Sequence, residues 1–169
     1  MRPEAILRAA AVAVLLVAAV GAIAAPAPVA KVLEGRVQRV VDGDSLWFEP
    51  DAGPAVEVRL HGIDAPEGCQ AWGPEARRAL AERVRGRGAS LRPQGQDSHG
   101  RMLGTLVVDG VVVNQWLVEE GHAWSSRFKW DRGPYVKQER MAAALRRGLH
   151  ATPGAIEPRE FRRRHGPCR

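Results

Sequence analysis

Six side chains in the 169-residue sequence have types and spacing suited to acting on a phosphodiester: Asp42, Asp44, Arg59, Asp64, Glu67 and Arg101. Asp42 and Asp44 flank Gly43. Arg59 closes an alternating apolar run, and "LHGIDAPEGCQ" follows at once, with Asp64 and Glu67 on either side of Pro66. Arg101 lies in "DSHGRMLG". Singly, each has a bland role: an Asp-Gly pair makes a turn, Asp64 caps a helix entry, and arginines are solvated. Together they form a chemical set. Carboxylate oxygens are the ligands that a hard cation such as Ca²⁺ requires. Two guanidinium forks can grip a phosphodiester and offset charge as the phosphorus becomes five-coordinate. A carboxylate outside the metal site can orient or deprotonate a water. Glu67, beyond the proline, is expected to be left free for that water, with Pro66 limiting the conformations of the turn.

Competing chemistries find no support in the sequence. There is no Ser-His-Asp spacing, glycine-rich phosphate loop or Cys-x-x-Cys pair. "DGDSLWFEP" is not a calcium-binding EF loop, because Leu46 stands at its fifth position and no glycine follows at the sixth. His61, His122, His150 and His165 lack ligand spacing, and the tryptophans suit the core and its edges. The basic run "REFRRRH", ending at His165, reads first as a solvated tail and second as a nucleic-acid contact.

The elements that must position the six residues are short. "EGRVQRVVDGDSLWFEP" alternates polar and apolar residues around Asp42-Gly43, a hairpin-turn pair. "AVEVRLHGI" alternates again, so residues 35–63 read as three antiparallel strands. The period then changes. "GPEARRALAERVRGRG" predicts a helix entered at Pro74, with Ala76, Leu80 and Val84 on one stripe. "ASLRPQ" and "MLGTLVVDGVVV" predict two further strands, the second with an Asp109-Gly110 turn. "VNQWLVEEG" predicts a short helix stopped by Gly121. "PYVKQERMAAALRRG" predicts a longer one, from Pro134 to Gly148. This order implies an α+β, mainly β, fold: a five-stranded OB-type barrel with three helices. That architecture does not by itself fix a function.

Bulk properties frame the set. The net charge of +6 and sequence pI of about 10.3 suit a polyanionic partner, and the 45% apolar content supports one domain-sized core. Residues 1–24 have arginines at 2 and 8, an apolar run and an Ala-x-Ala ending, the layout of a signal peptide, with an uncleaved membrane anchor as the other reading. A linker at 25–33, a barrel domain at 34–150 and a basic, Pro-rich, irregular strap at 151–169 complete the expected organisation. The implied location is secreted or periplasmic. There, Cys69 and Cys168 are expected to form a disulfide.

The motifs "VVDGDSLWF", "VRLHGIDAPE", "WGPEAR" and "DSHGRMLG", in this order, resemble the successive signatures of the thermonuclease family, the staphylococcal-nuclease-like domains. The resemblance runs from about Gly35 to Gly148. It implies a Ca²⁺-dependent phosphodiesterase that cuts DNA and RNA to 3′-phosphate products and works as a monomer without a stable protein partner. By position, Asp44, Asp64 and the carbonyl of Ala65 would hold the metal, with Asp42 one layer behind. Glu67 would be the general base, and Arg59 and Arg101 would bind the scissile phosphate. Four positions depart from the family pattern. Ala65 stands where threonine is common, His99 where an aromatic nucleotide contact is expected, and Arg127 and Lys129 where a tyrosine pair belongs. Phosphate contacts from His99, Arg127 and Lys129 would then replace base stacking. The rival reading is a non-catalytic nucleic-acid-binding module on the same barrel.

Overall fold

A computed structural model describes residues 31–127 and 130–168. The signal-peptide expectation for 1–24 and the substrate-contact expectation for Lys129 lie outside these residues. No helix among the described residues is long and apolar enough to cross a membrane.

Five strands form the barrel: β1 (Leu33–Val40), β2 (Ser45–Pro50), β3 (Val56–Leu60), β5 (Gly88–Gln96) and β6 (Met102–Val108). Neighbours run antiparallel in the order β3-β2-β1-β5-β6. A parallel pairing of β3 with β6, Arg59 opposite Leu103 and Leu60 opposite Gly104, closes the cylinder. The alternation in sequence explains the inside. Leu46, Phe48, Val58, Leu60, Leu91, Leu106 and Val108 fill the core and are essentially inaccessible to solvent. Gly35 is needed where β1 crosses β2, because a Cβ there would lie 2.2 Å from the Glu49 carbonyl oxygen.

Short pairs extend this frame. β4 (Ile63–Asp64) pairs with β8 (Trp124–Ser125), and β7 (Val111–Val112) pairs with β6 across the expected Asp109-Gly110 turn. Both turn residues have positive φ, 52° and 74°. Helix α1 (Gly73–Val84) buries the expected stripe of Ala76, Leu80 and Val84. Helix α2 (Val113–Glu119) supplies Asn114, whose side chain is fully buried. Its Oδ1 accepts the Leu106 N–H at 3.0 Å, and its Nδ2 donates to the carbonyls of His61 and Gly104 at 2.8 and 3.1 Å. One side chain thereby locks the end of β3 to β6 at the closure.

Three expectations are corrected. Helix α3 (Val136–Ala144) is shorter than the 134–148 segment. It ends in a Schellman turn: the N–H groups of Arg146 and Arg147 donate to the carbonyls of Ala143 and Ala142, with Arg146 at φ 52°. Gly148 serves another purpose, since a Cβ there would lie 2.2 Å from the Gly121 carbonyl oxygen. Gly43 does not have the positive φ of a tight hairpin glycine. It is needed because a Cβ would lie 2.7 Å from the Ala65 Cβ and 2.8 Å from the Ala76 Cβ. Finally, the C-terminal strap is not wholly irregular. A 3₁₀ turn (Gly148–Ala151) leads to a fourth helix, α4 (Pro158–His165). Pro158 pre-sets its first turn, and Glu160 pairs with Arg163 and Arg164 along its own face.

Cys69 and Cys168 form a disulfide with their Cα atoms 5.7 Å apart. It closes a 99-residue separation, which by chain entropy stabilises the fold by about 4 to 5 kcal/mol. Urea unfolding of a Cys69→Ser, Cys168→Ser protein should therefore show stability lowered by several kcal/mol. An unchanged midpoint and slope would show that the staple leaves the unfolded chain unrestrained.

Candidate active site

Strand register brings the predicted residues together at one end of the barrel. Ser45 opposes Arg59 in the β2–β3 ladder, so Asp44 reaches the Arg59 guanidinium. Arg59 opposes Leu103 at the parallel closure, so Arg101, two residues earlier, arrives nearby. Asp64 follows Arg59 by one short turn. Asp42, Asp44, Arg59, Glu67, Arg101 and Arg162 are among the residues lining a cleft of about 760 Å³.

Asp44 is the most buried member, at 3% exposure. Its Oδ1 accepts from the Ser45 hydroxyl at 2.9 Å and from Arg59 at 3.0 Å, and its Oδ2 accepts the Ala65 N–H at 2.9 Å. Asp42 Oδ1 accepts the Asp44 N–H at 3.1 Å. Arg59 also donates to Asp64 Oδ1 at 2.7 Å. Burial, then the negative charge of Asp44, push Asp42 and Asp64 up to about 6 from the ordinary 3.8. Burial works against the Arg59 charge, but Asp44 and Asp64 beside it raise its pKa overall. The acids are thus crowded beyond what Arg59 alone neutralises.

That crowding is the condition a hard cation relieves. The donor set is oxygen only, which fits Ca²⁺ or another hard ion rather than a thiophilic one. No group of three Asp, Glu, His or Cys side chains converges as a metal cage among the described residues. Asp44 and Asp64 would therefore hold the ion with much of its shell left to water. The structure involves Ala65 through its amide, which fixes Asp44.

Glu67 is not left free. Its N–H donates to Gln70 Oε1 at 3.1 Å, its carbonyl accepts the Gln70 N–H at 2.8 Å, and its carboxylate is paired with Arg162 of α4. Gly73 permits this turn, since a Cβ there would lie 2.0 Å from the Glu67 carbonyl oxygen. Gln70 is 3% exposed and donates from its Nε2 to the Ile156 carbonyl, tying the turn to the C-terminal segment.

Asp97 has no assigned role in the sequence motif, yet it orients Arg101. Its Oδ2 accepts from Arg101 Nε and Nη2, both at 2.8 Å, and its Oδ1 accepts the His99 and Arg101 N–H groups. Burial works to raise its pKa, but these donors hold it below the ordinary carboxylate range. An Asp two residues before His99 is a turn-forming signal readable in sequence; its grip on the arginine is not. His99 stands at the cleft rim, mostly exposed. Arg127, expected to touch substrate, does not line this cleft. It is engaged by Glu139 and Glu157, a structural junction between α3 and the strap.

The family described as Staphylococcal nuclease homologue matches residues 57–151, more than half of the chain. The chain belongs to the staphylococcal nuclease family. It is 38% identical to Protein ParB of Escherichia coli over 96% of this chain and 93% of that protein. It is 33% identical to a micrococcal nuclease of Shigella flexneri over 93% and 92% of the two chains. An uncharacterized endonuclease of Haemophilus influenzae is 32% identical over 76% of this chain and 72% of its own. Family membership supports a hydrolytic nuclease acting on nucleic acid, in a metal-dependent family.

Two tests follow from the electrostatics. Because folding raises the Asp42 pKa, its ionised form costs stability above about pH 6, and the cost vanishes below about pH 4, where both states are protonated. Asp42→Asn keeps the acceptor for the Asp44 N–H. In chelator it should stabilise the protein by about 2 kcal/mol at pH 8, with the gain fading toward pH 4. A gain independent of pH would point to packing instead. Asp97→Ala should lower kcat/KM by up to about a hundredfold through loss of Arg101 orientation. Recovery in Asp97→Glu would support positioning, and an unaffected Asp97→Ala enzyme would remove it.

Proposed function

We propose that this protein is an exported, Ca²⁺-dependent, sugar-nonspecific nuclease that cuts DNA and RNA and leaves 3′-phosphate ends. The observation that carries the reading is the meeting of Arg59 and Arg101 with Asp44, Asp64 and Glu67 at one barrel end. A nucleic-acid-binding module needs positive charge there, not buried acids, so this placement favours chemistry over binding alone.

In this mechanism Arg59 and Arg101 receive the scissile phosphate, each by a fork suited to two oxygens. Each is held in place by carboxylates, Asp44 and Asp64 for Arg59 and Asp97 for Arg101. Glu67 orients a water and accepts its proton as the oxygen–phosphorus bond forms. The bond to the 5′ oxygen breaks, and that oxygen takes a proton from solvent water in the open cleft and leaves as a hydroxyl. Negative charge gathers on the phosphate oxygens during this step, and the two guanidinium groups oppose it. Bound by Asp44 and Asp64, Ca²⁺ would supply further positive charge to that phosphate. Export is supported by the signal-like residues 1–24 and by the Cys69–Cys168 pairing, a bond that persists in oxidising compartments.

The experiment incubates mature protein with plasmid DNA and with RNA, in Ca²⁺, Mg²⁺ or chelator, beside Glu67→Gln. Both substrates should be cut only with Ca²⁺, and the variant should lose roughly a hundredfold to ten-thousandfold in kcat. Binding without cleavage would favour the non-catalytic module. Cleavage by Mg²⁺ but not Ca²⁺ would overturn the metal, and an unimpaired variant would overturn the base.

A further inference from the structure

We propose that Arg162 is a third phosphate-binding arginine of the cleft, delivered from outside the barrel by the C-terminal strap. This deepens the nuclease reading and rests on it. Arg162 lines the same cleft as Arg59 and Arg101, and its side chain is 39% exposed. One guanidinium nitrogen is paired with Glu67 Oε1. The other terminal nitrogen lies 3.8 Å from Asp64 Oδ2, beyond hydrogen-bond reach, so donors remain for another acceptor.

Its own helix singles it out. Glu160 is paired with Arg163 and Arg164 at one helical turn's distance. Arg162 points its charge elsewhere: it pairs with Glu67 and lies near Asp64, both on the turn around Pro66. The strap that carries it is fastened at three places. Ile156 accepts from Gln70, Glu157 pairs with Arg127, and Cys168 is bonded to Cys69. Two of these fasteners, Cys69 and Gln70, lie within three residues of Glu67. Strap and catalytic turn therefore form one unit, and Arg162 is held rather than trailing.

Charge gives the placement its purpose. Asp42, Asp44, Glu57, Asp64, Glu67 and Asp97 are the acids in and beside the cleft, opposed by Arg59, Arg101 and Arg162. The acids outnumber the arginines, and a polyanion must still enter. Arg59 and Arg101 are each held in two-pronged contact with acids. Arg162 has the looser hold and spare donors, and exchanging a carboxylate for a phosphate would release Glu67 to meet water. Arg162 thus couples substrate arrival to the freeing of Glu67.

The test uses a short single-stranded oligodeoxynucleotide in chelator, so that binding is read without cleavage, across a KCl series. Arg162→Gln is compared with native protein, with Arg162→Lys and with Arg163→Gln. Loss of one phosphate contact should lower the slope of log K against log salt by about 0.7. Arg162→Gln should show that loss, Arg162→Lys should keep the slope, and Arg163→Gln should change it much less. With Ca²⁺, Arg162→Gln should raise KM several-fold. Tighter binding or faster turnover in Arg162→Gln would make the residue an inhibitory plug and overturn the proposal. Equal effects of Arg162→Gln and Arg163→Gln would reduce it to diffuse attraction and overturn it too. If native protein cleaves with Ca²⁺ while the Arg162→Gln slope is unchanged, this inference falls and the nuclease reading stands. Native protein that neither binds nor cleaves would bring down both.

Discussion

Arg59 sits between Asp44 and Asp64, and the working end of the barrel depends on that arrangement. All three side chains are largely buried, with exposures of 23%, 4% and 18%. Burying such groups is costly, and their mutual attraction only about repays it. The trio is therefore poor at stabilising the fold and strict about geometry. Removing the guanidinium would leave buried Asp44 without its counter-charge and Asp64 with only the more distant Arg162, a change that costs about 3 to 5 kcal/mol in comparable buried pairs. In the proposed mechanism the same strictness would aim the Arg59 fork before substrate arrives, which is when preorganisation is useful.

The remaining architecture can be understood as what brings that trio and its neighbours into reach. Antiparallel register seats Asp44 beside Arg59, and parallel closure seats the start of β6 beside the end of β3. Parallel edges joined over a long stretch of chain need a lock, and Asn114 satisfies three backbone groups at that seam. Two glycines then let separate elements press against the site. Gly43 admits Ala65 and Ala76, and Gly73 admits the Glu67 carbonyl. Each contact is closer than any side chain would allow, so the turn around Pro66 is wedged between α1 and the β1–β2 loop.

Much of this was legible in the sequence because it is local. Asp64, Pro66 and Glu67 share one turn, and Asp42 and Asp44 share another, so their proximity needs no tertiary knowledge. The alternation through 35–63 and the stripe of Ala76, Leu80 and Val84 are local periodicities, and both appear in the fold. What escaped depends on contacts between distant segments. Gly43 looked like a turn glycine, and only its packing against α1 shows otherwise. The stop of α3 at Arg146 was hidden because Gly148 offered a stronger local signal, while the chain used that glycine for a crossing with Gly121. Arg127 matched a substrate position by register, but two glutamates from other elements claim it.

Arg162 shows the same limit from the opposite side. A run of arginines near a C-terminus reads as solvated charge, since nothing local distinguishes one arginine from the next. Helical geometry distinguishes them. Glu160 can reach residues three and four positions later, so it neutralises Arg163 and Arg164 and leaves Arg162 to partners off the helix. Which partners those are is settled by the fasteners, and the disulfide is the one that does not exchange with water. Hydrogen bonds and ion pairs such as Gln70–Ile156 and Arg127–Glu157 hold a segment only as firmly as their small net energies permit. A covalent link two residues from Glu67 converts a loosely held tail into a wall of the cleft. The basic character of this small protein is therefore placed as well as abundant: the strap's arginine reaches the acids because Cys69 and Cys168 tie the strap to the turn that carries Glu67.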